Sequence, residues 1–154
     1  QPFAAQPLGL ATLAAKDKQA LLALQQKTAG LQRAVLGAVR LTRETQSRID
    51  YLKKAVLETP AADPGLGEQL TSIARRLDDA RVALSGDPVL QSRNEPALPS
   101  IVARVQRVVR SQWASSSAPT QTNLDAYEIA GEAFAAVLRD LRQLVEVDLG
   151  RFED

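Results

Sequence analysis

Hydrophobic residues recur at alternating intervals of three and four along the first third of the chain, a spacing typical of one face of an amphipathic α-helix. The pattern runs through Gly30 and Gly37 without a change of phase. Because a loop at either glycine would shift the register, it predicts one continuous helix over about residues 12–58; the alternative is two helices that separate near Gly30. The stripe consists of Leu21, Leu24, Thr28, Leu31, Val35, Ala38, Thr42, Thr45, Ile49, Leu52 and Val56.

Three positions of this stripe are threonines, Thr28, Thr42 and Thr45. Hydroxyl groups on a hydrophobic face either fix the register of helix packing or mark where that face leaves the core for solvent. The sequence leaves both interpretations open.

Prolines and glycines mark the boundaries of three more helices. Pro60 ends the first helix, since the residue before a proline is disfavoured in the α region. Asp63 offers an N-cap, with a proline in the first turn, for a second helix over about 64–85, which Gly86 closes. Each helix carries its own hydrophobic stripe.

The second half of the chain contains the other two helices. Residues 86–98 are predicted to form an irregular connection, followed by a third helix over about 99–113. A fourth helix is predicted over 119–154, with Thr122 and Asp125 spaced as in a capping box. Four amphipathic helices joined by short or proline-rich connections predict an all-α fold, an antiparallel four-helix bundle with one long N-terminal helix, as a single domain over residues 1–154.

Composition and charge agree with a helical bundle. Aromatic residues are scarce, with three Phe, two Tyr and one Trp, which favours helices over β-sandwiches. Residues 1–58 contain nine basic and four acidic residues, a net of +5, and residues 119–154 contain three and eight, a net of −5. We therefore expect the first and last helices to lie side by side.

The last helix is hydrophobic over an unusually wide arc. One helix of a small bundle needs a single apolar stripe. The second stripe therefore predicts a surface that packs against preceding domains or a second copy of the chain. The two stripes are Phe134, Val137, Leu141 and Leu144, and Leu138, Val145, Leu149 and Phe152.

The chain contains no His and no Cys. This removes the commonest general base, the commonest metal ligand and all thiolate chemistry. We predict no catalytic residue, metal site or cofactor, and rank an enzyme that uses carboxylates alone last. Acidic side chains that lie close in sequence are interpreted as solvated surface, with a structural role left open for Asp148; they are Asp78, Asp79, Glu128, Glu132, Glu146 and Asp148.

Two features of the third helix suggest binding. Arg104, Arg107 and Arg110 have no acidic residue near them in sequence, and arginine suits anions, so the alternative function is a free-standing binding module for an anionic ligand. The competing interpretation is a solvated face, and the net charge of +1 argues against a nucleic-acid partner. Trp113 is interpreted first as the end of the core and second as an anchor for a partner.

Spaced residues in the C-terminal part resemble the tail of a bacterial family of large secreted proteins, the sortilin-like or BNR-repeat "glycosyl hydrolases". The residues are Ser117-Ala118-Pro119-Thr120, Ala126-Tyr127, Phe134, Leu138, Leu141 and Leu144-Val145-Glu146-Val147-Asp148-Leu149. The long helix that ends at Leu57 is similar to that family's first helix after its β domain. The resemblance implies a helical region behind β-propellers in an extracytoplasmic protein. It places no functional residue of the family on this chain, because the family's activity belongs to the propellers.

The chain begins at Gln1 rather than Met and stops within an apparently helical run, so we expect a piece of a longer polypeptide. We expect no signal peptide within these residues, and no apolar run approaches the length needed to span a bilayer. The sequence predicts a non-catalytic helical accessory or interaction domain of a larger, extracytoplasmic, propeller-containing protein. Its expected partners are neighbouring domains of the same polypeptide or a second copy.

Overall fold

The computed structural model describes residues 15–114 and 117–152, and every regular element within these ranges is a helix. The elements are α1 (Ala15–Glu58), α2 (Gly65–Ser85), α3 (Pro88–Ser92), α4 (Ile101–Ala114), α5 (Gln121–Arg142), a π-helix (Gln143–Asp148) and a 3₁₀ turn (Gly150–Phe152). The all-α prediction is confirmed. The predicted beginning of the first helix before residue 15 and the last two residues of the chain lie outside the described ranges.

The first helix is continuous, as the unbroken stripe predicted. It contains 44 residues and runs through Gly30 and Gly37, so the alternative with two helices is wrong. At 1.5 Å per residue it is about 66 Å long, more than twice the length of α2. The positions of the stripe are buried or half-buried along the whole helix.

The long first helix is the element against which the other long helices pack in an antiparallel bundle. The connection after Glu58 is short, so α2 turns back along the C-terminal half of α1. The helix α4 then packs against the N-terminal half of α1, where Gln112 contacts Thr28. From there α5 returns past α4 to α2. The main neighbours of α1 are therefore α2 and α4, and its contact with α5 is smaller, contrary to the pairing expected from net charge. Burial of apolar area selects these neighbours, since surface ion pairs contribute only about 0.2–1 kcal/mol each.

A single hydrophobic core connects the long helices. Burial of a Leu, Ile or Val side chain contributes about 1.5–3 kcal/mol, so these residues dominate the stability of the fold. The larger core side chains with almost no exposure are Val35, Ile49, Leu70, Leu77, Leu84, Val105, Leu141, Leu144 and Leu149.

The connection between α2 and α4 is not irregular throughout, which corrects the prediction for residues 86–98. Gly86 ends α2 with a positive φ of 91°, as expected for a glycine at this position. Asp87 then caps α3, because its Oδ1 accepts hydrogen bonds from the backbone nitrogens of Val89 at 2.8 Å and Leu90 at 3.4 Å. The sequence prediction used Asp63-Pro64 to mark the beginning of α2, which starts at Gly65, and a second Asp-Pro pair, Asp87-Pro88, begins this five-residue helix.

The N-cap of α5 is Thr120 rather than the predicted Thr122. Thr120 has an extended backbone, and its Oγ1 accepts a hydrogen bond from Asn123 N at 3.3 Å. Asp125, the predicted partner in the capping box, instead accepts a hydrogen bond from the Gln121 side chain at 2.7 Å. The prediction was wrong by two residues because both threonines precede a plausible helical run.

The predicted single helix over 119–154 changes type after Arg142. Leu149 N donates to Leu144 O at 2.9 Å, an i→i−5 bond that takes one additional residue into the turn. In an α-helix these two leucines would point about 140° apart, whereas the wider turn places Leu149 beneath Leu144. The π-helix therefore merges the two apolar stripes into one. Leu149 is completely buried and Phe152 packs against the core, so the docking surface predicted on this helix is covered within the chain.

The three stripe threonines are buried, which favours a role within the core, but their hydroxyls differ. Thr28 Oγ1 donates to Leu24 O at 2.8 Å and accepts from Gln112 Nε2 at 3.0 Å. Thr42 Oγ1 donates to Val39 O at 2.9 Å. Thr45 Oγ1 has no hydrogen-bond partner among the described residues.

We expect Thr45→Val to raise the free energy of unfolding by about 1 kcal/mol, because a buried hydroxyl without a partner is costly. Thr28→Val is the matched control and is expected to lower it by about 1 kcal/mol, since the Gln112 amide loses its acceptor. Urea unfolding followed by circular dichroism measures both changes. Equal effects of the two substitutions would contradict this account of the hydroxyls.

Candidate functional site

The acidic residues identified in the sequence do not form a reactive cluster. Asp78 is paired with Arg81 of the same helix, with Oδ1 at 2.9 Å from Nε and 2.6 Å from Nη2. Glu128, Glu132 and Glu146 are exposed. Within residues 15–114 and 117–152, no three acidic side chains are placed to hold a metal ion. This arrangement is that of a solvated surface.

Asp148 is the exception, and it has the structural role that the sequence left open. Its carboxylate is paired with the Arg76 guanidinium of α2 and accepts a hydrogen bond from Gln143 Nε2 at 3.2 Å. The hydrogen bond from Arg76 is the main reason that the pKa of Asp148 lies below its ordinary value. Gln143 and the charges of Arg76 and Arg151 act in the same direction, and partial burial opposes them. The ion pair between Arg76 and Asp148 thus connects the π-helix to α2.

We expect Asp148→Asn to destabilise the fold by about 1 kcal/mol near neutral pH, a modest value because Arg76 is half-exposed. A carboxyl with a lowered folded pKa stabilises above its unfolded pKa of about 3.9, and this stability is lost as the pH falls through the folded pKa. The difference between the two proteins should therefore disappear in acid. Asp78→Asn, which breaks an exposed i,i+3 pair, is the control, with an expected effect below about 0.5 kcal/mol. A difference that does not depend on pH would exclude the ion pair as its cause.

The three arginines of α4 do not converge on one point. Successive members are three residues apart, so each is turned by about 60° from the one before, and the set spreads over an arc of about 120°. Arg107 and Arg110 are exposed, Arg104 is half-buried, and none is in an ion pair with a described carboxylate. Arginine side chains that diverge in this way form a basic surface, and they do not converge on one small anion.

The first interpretation of Trp113, as the end of the core, is wrong. Its side chain is 88% exposed. The core positions of α4 are Ile101, Val105 and Val108, and Trp113 follows Val108 by five residues, which turns it about 140° away. A single exposed apolar side chain is common in proteins, so the exposure of Trp113 is informative only through the surface that surrounds it.

Trp113 forms one wall of a groove between α4 and the N-terminal half of α1. The groove has a volume of about 470 Å³. The hydrogen bond between Gln112 and Thr28 joins its two sides. It is lined by Gln25, Thr28, Ala29 and Gln32 of α1 and by Val109, Gln112 and Trp113 of α4.

Exposed leucines extend this surface at both ends. Leu22 lies one turn before Gln25, and Leu36 lies one turn after Gln32, on the same side of α1. Their exposed fractions are 54% and 51%. The groove thus combines an aromatic wall, amide groups and two aliphatic side chains. We refer to these residues, together with those that line the groove, as the Trp113 groove.

Sequence reasoning missed the Trp113 groove because it depends on which helix covers the N-terminal half of α1. One signal was present: the residues at 22, 25, 29, 32 and 36 follow one another at helical spacing beside the core stripe. Three of them are apolar and two are glutamine. Such a pattern beside a core stripe indicates a second, half-covered face.

Comparisons with protein-family models, with curated proteins and with solved structures found no match. No helix in the described part of the chain is long and apolar enough to cross a membrane. The resemblance to the tail of sortilin-like, propeller-containing proteins therefore stays a prediction, as does the extracytoplasmic location that it implies.

Proposed function

We propose that this chain is a helical interaction domain that binds a polypeptide segment in the Trp113 groove. The observation that carries the proposal is the exposure of Trp113 at the wall of a groove. Tryptophan is strongly enriched among the residues that contribute most to protein–protein binding, and it does so when a partner removes it from water. The expected binding surface thus lies between α1 and α4 instead of on the last helix.

The lining of the groove suits a peptide. Gln25, Gln32 and Gln112 present amide donors and acceptors that match peptide groups and polar side chains. Trp113 and Val109 provide apolar contact area between them. Protein interfaces likewise combine apolar contact area with hydrogen-bonding groups.

The proposed partner lies outside these 154 residues. The sequence predicted a neighbouring domain or a second copy, and for either partner it placed the contact on an apolar stripe of the last helix that the structure buries. Between the two we favour a segment of another domain, as in the propeller-containing proteins whose tail the sequence resembles. The domain itself contributes recognition and no chemistry.

Selection from a displayed library of random peptides tests the proposal without a known partner. We expect selected peptides to bind the chain and to lose at least about tenfold in affinity with Trp113→Ala, which corresponds to about 1.4 kcal/mol. Tyr51→Ala is the matched control, because Tyr51 is also an aromatic residue on a helix surface, is 75% exposed and lies far along α1.

Two results would contradict the proposal. The library could yield no binder, or its binders could tolerate Trp113→Ala as well as they tolerate Tyr51→Ala. Circular dichroism of both variants serves as the check on folding. Neither substitution is expected to change the free energy of unfolding by more than about 0.5 kcal/mol, since both side chains are largely in solvent.

A further inference from the structure

We infer that the segment bound in the Trp113 groove is an acidic amphipathic helix with aliphatic residues on one face. This inference rests on the proposed function and adds the chemistry of the partner. It starts from the distribution of charge. The stretch of α1 from Lys18 to Arg43 contains five basic residues and no acidic one, and α4 contains three basic residues and no acidic one. Over the whole chain the net charge is only +1.

Two of these basic residues flank the groove. Arg33 follows Ala29 by four residues, and Arg110 precedes Trp113 by three, so each lies one helical turn from a residue of the lining. Both side chains are exposed, and neither forms an ion pair with a carboxylate of the described residues. By contrast, Arg40 is already paired with Glu44 at 3.5 Å. The groove therefore has an uncompensated positive charge on each side.

The acidic residues of the bundle do not neutralise this surface directly. Asp125, Glu128 and Glu132 lie on α5, which contributes no residue to the lining of the groove. Charge complementarity in interfaces steers association and selects partners. A segment with carboxylates is thus the polypeptide that this groove would attract, and a basic segment would be repelled.

The spacing of the exposed leucines indicates the shape of the partner. Leu22 and Leu36 are 14 residues apart, or about 21 Å along α1, with the groove between them. A helix of about four turns that lies along the groove would contact both leucines and Trp113 with one aliphatic face. Its carboxylates would then lie beside Arg33 and Arg110.

Phosphate-bearing partners fit the surface less well. Arg33 and Arg110 lie on opposite sides of the groove, and the arginines of α4 point in different directions. Their guanidinium groups therefore do not converge on one phosphate. A membrane surface requires an apolar protrusion, whereas Gln25, Gln32 and Gln112 place amides at the concave surface. Nucleic acid and anionic lipid are therefore outcomes that the experiment must exclude.

Trp113 is the only tryptophan of the chain and reports on the groove directly. The experiment titrates the 154-residue chain with three synthetic peptides of roughly 18 residues, which share leucines at helical spacing and carry Glu, Gln or Lys elsewhere. We expect the Glu peptide to shift Trp113 emission to the blue and protect it from iodide. Its affinity should fall at least about tenfold between about 0.05 and 0.5 M salt.

Charge-reversal variants test whether the preference for an acidic peptide arises from the basic residues beside the groove. Arg33→Glu/Arg110→Glu should weaken binding of the Glu peptide at least about tenfold. Arg75→Glu/Arg139→Glu changes the net charge equally on exposed residues of α2 and α5, away from the groove, and should weaken it less than about threefold. Equal effects of the two double variants would overturn the inference.

Other outcomes separate the inference from the proposed function. Equal, salt-independent binding of the Gln and Glu peptides would overturn the acidic partner and leave the groove as an interaction site. Tighter binding of the Lys peptide, of duplex DNA or of anionic vesicles would also overturn it, as would a dimer that covers Trp113 without added peptide. If no displayed or synthetic peptide requires Trp113, the proposed function itself fails.

Discussion

Deleting Ala135 is expected to leave the protein largely unfolded, whereas deleting Val147 is expected to leave it folded. Removal of one residue from an α-helix turns everything after it by about 100°. The deletion at Ala135 would rotate Leu141 and Leu144, both about 1% exposed, out of the core. The loss of one buried leucine costs about 2–5 kcal/mol, and the whole fold is stable by about 5–15 kcal/mol.

Val147 lies within the π-helix, where the chain already contains one additional residue per turn. Its deletion lets the segment become α-helical while Leu149 stays beneath Leu144, now four residues later. We expect a cost of at most about 2 kcal/mol, which includes the weakened contact between Asp148 and Arg76.

Ala135 and Val147 are both exposed, so neither deletion removes core contacts of the deleted side chain itself. Urea unfolding followed by circular dichroism compares the two variants. Equal destabilisation by the two deletions would mean that the π-helix does not determine which side chains of the last helix face the core.

The triple variant Gly30→Ala/Gly37→Ala/Gly131→Ala is expected to be more stable by about 1.5–3 kcal/mol. Each glycine lies inside a helix, where replacement by alanine contributes about 0.5–1 kcal/mol. A β-carbon built at each position meets no atom within 4 Å. The three sites are well separated, so their effects should add. The thermal midpoint should rise by roughly 3–12 °C.

Gly86→Ala is the contrasting variant. Gly86 has a φ of 91°, which side-chain-bearing residues rarely adopt, and its β-carbon would lie 2.3 Å from Gln91 Nε2. We expect a loss of at least about 1 kcal/mol, even though the Gln91 side chain can move. A triple variant with unchanged or lower stability would indicate that α1 or α5 needs a glycine at one of these positions, for example to bend.

Regular periodicity explains which parts of the fold could be predicted. The stripe of α1 has uniform spacing and ends at a clear boundary signal, Pro60, so one long helix that ends at Glu58 followed from local rules. The same rules placed the beginning of α2 to within one residue, because the helix starts at Gly65. The N-cap position is Pro64 rather than the predicted Asp63, although Asp63 Oδ1 does accept a hydrogen bond from Gly65 N at 2.8 Å. Interactions between residues that are close in sequence determine these features, so the features can be predicted from the sequence alone.

The errors occurred where tertiary contacts decide. The two apolar stripes of the last helix are indistinguishable from an unpartnered surface until the i→i−5 bond of Leu149 is known. Five residues of α3 are too few for periodicity to detect. Trp113 is a different case, because its position five residues after Val108 already places it off the core stripe of α4. The prediction instead followed the general tendency of large apolar side chains to be buried.

The most direct test of the interaction site is to record amide and indole N–H nuclear magnetic resonance spectra of the ¹⁵N-labelled chain with and without a peptide selected for binding. We predict that the largest shifts fall on residues 22–36 of α1, on residues 109–113 of α4 and on the Trp113 indole. Shifts that cluster on α5 and the π-helix, with an unchanged Trp113 indole, would contradict the proposal and return the interaction surface to the last helix.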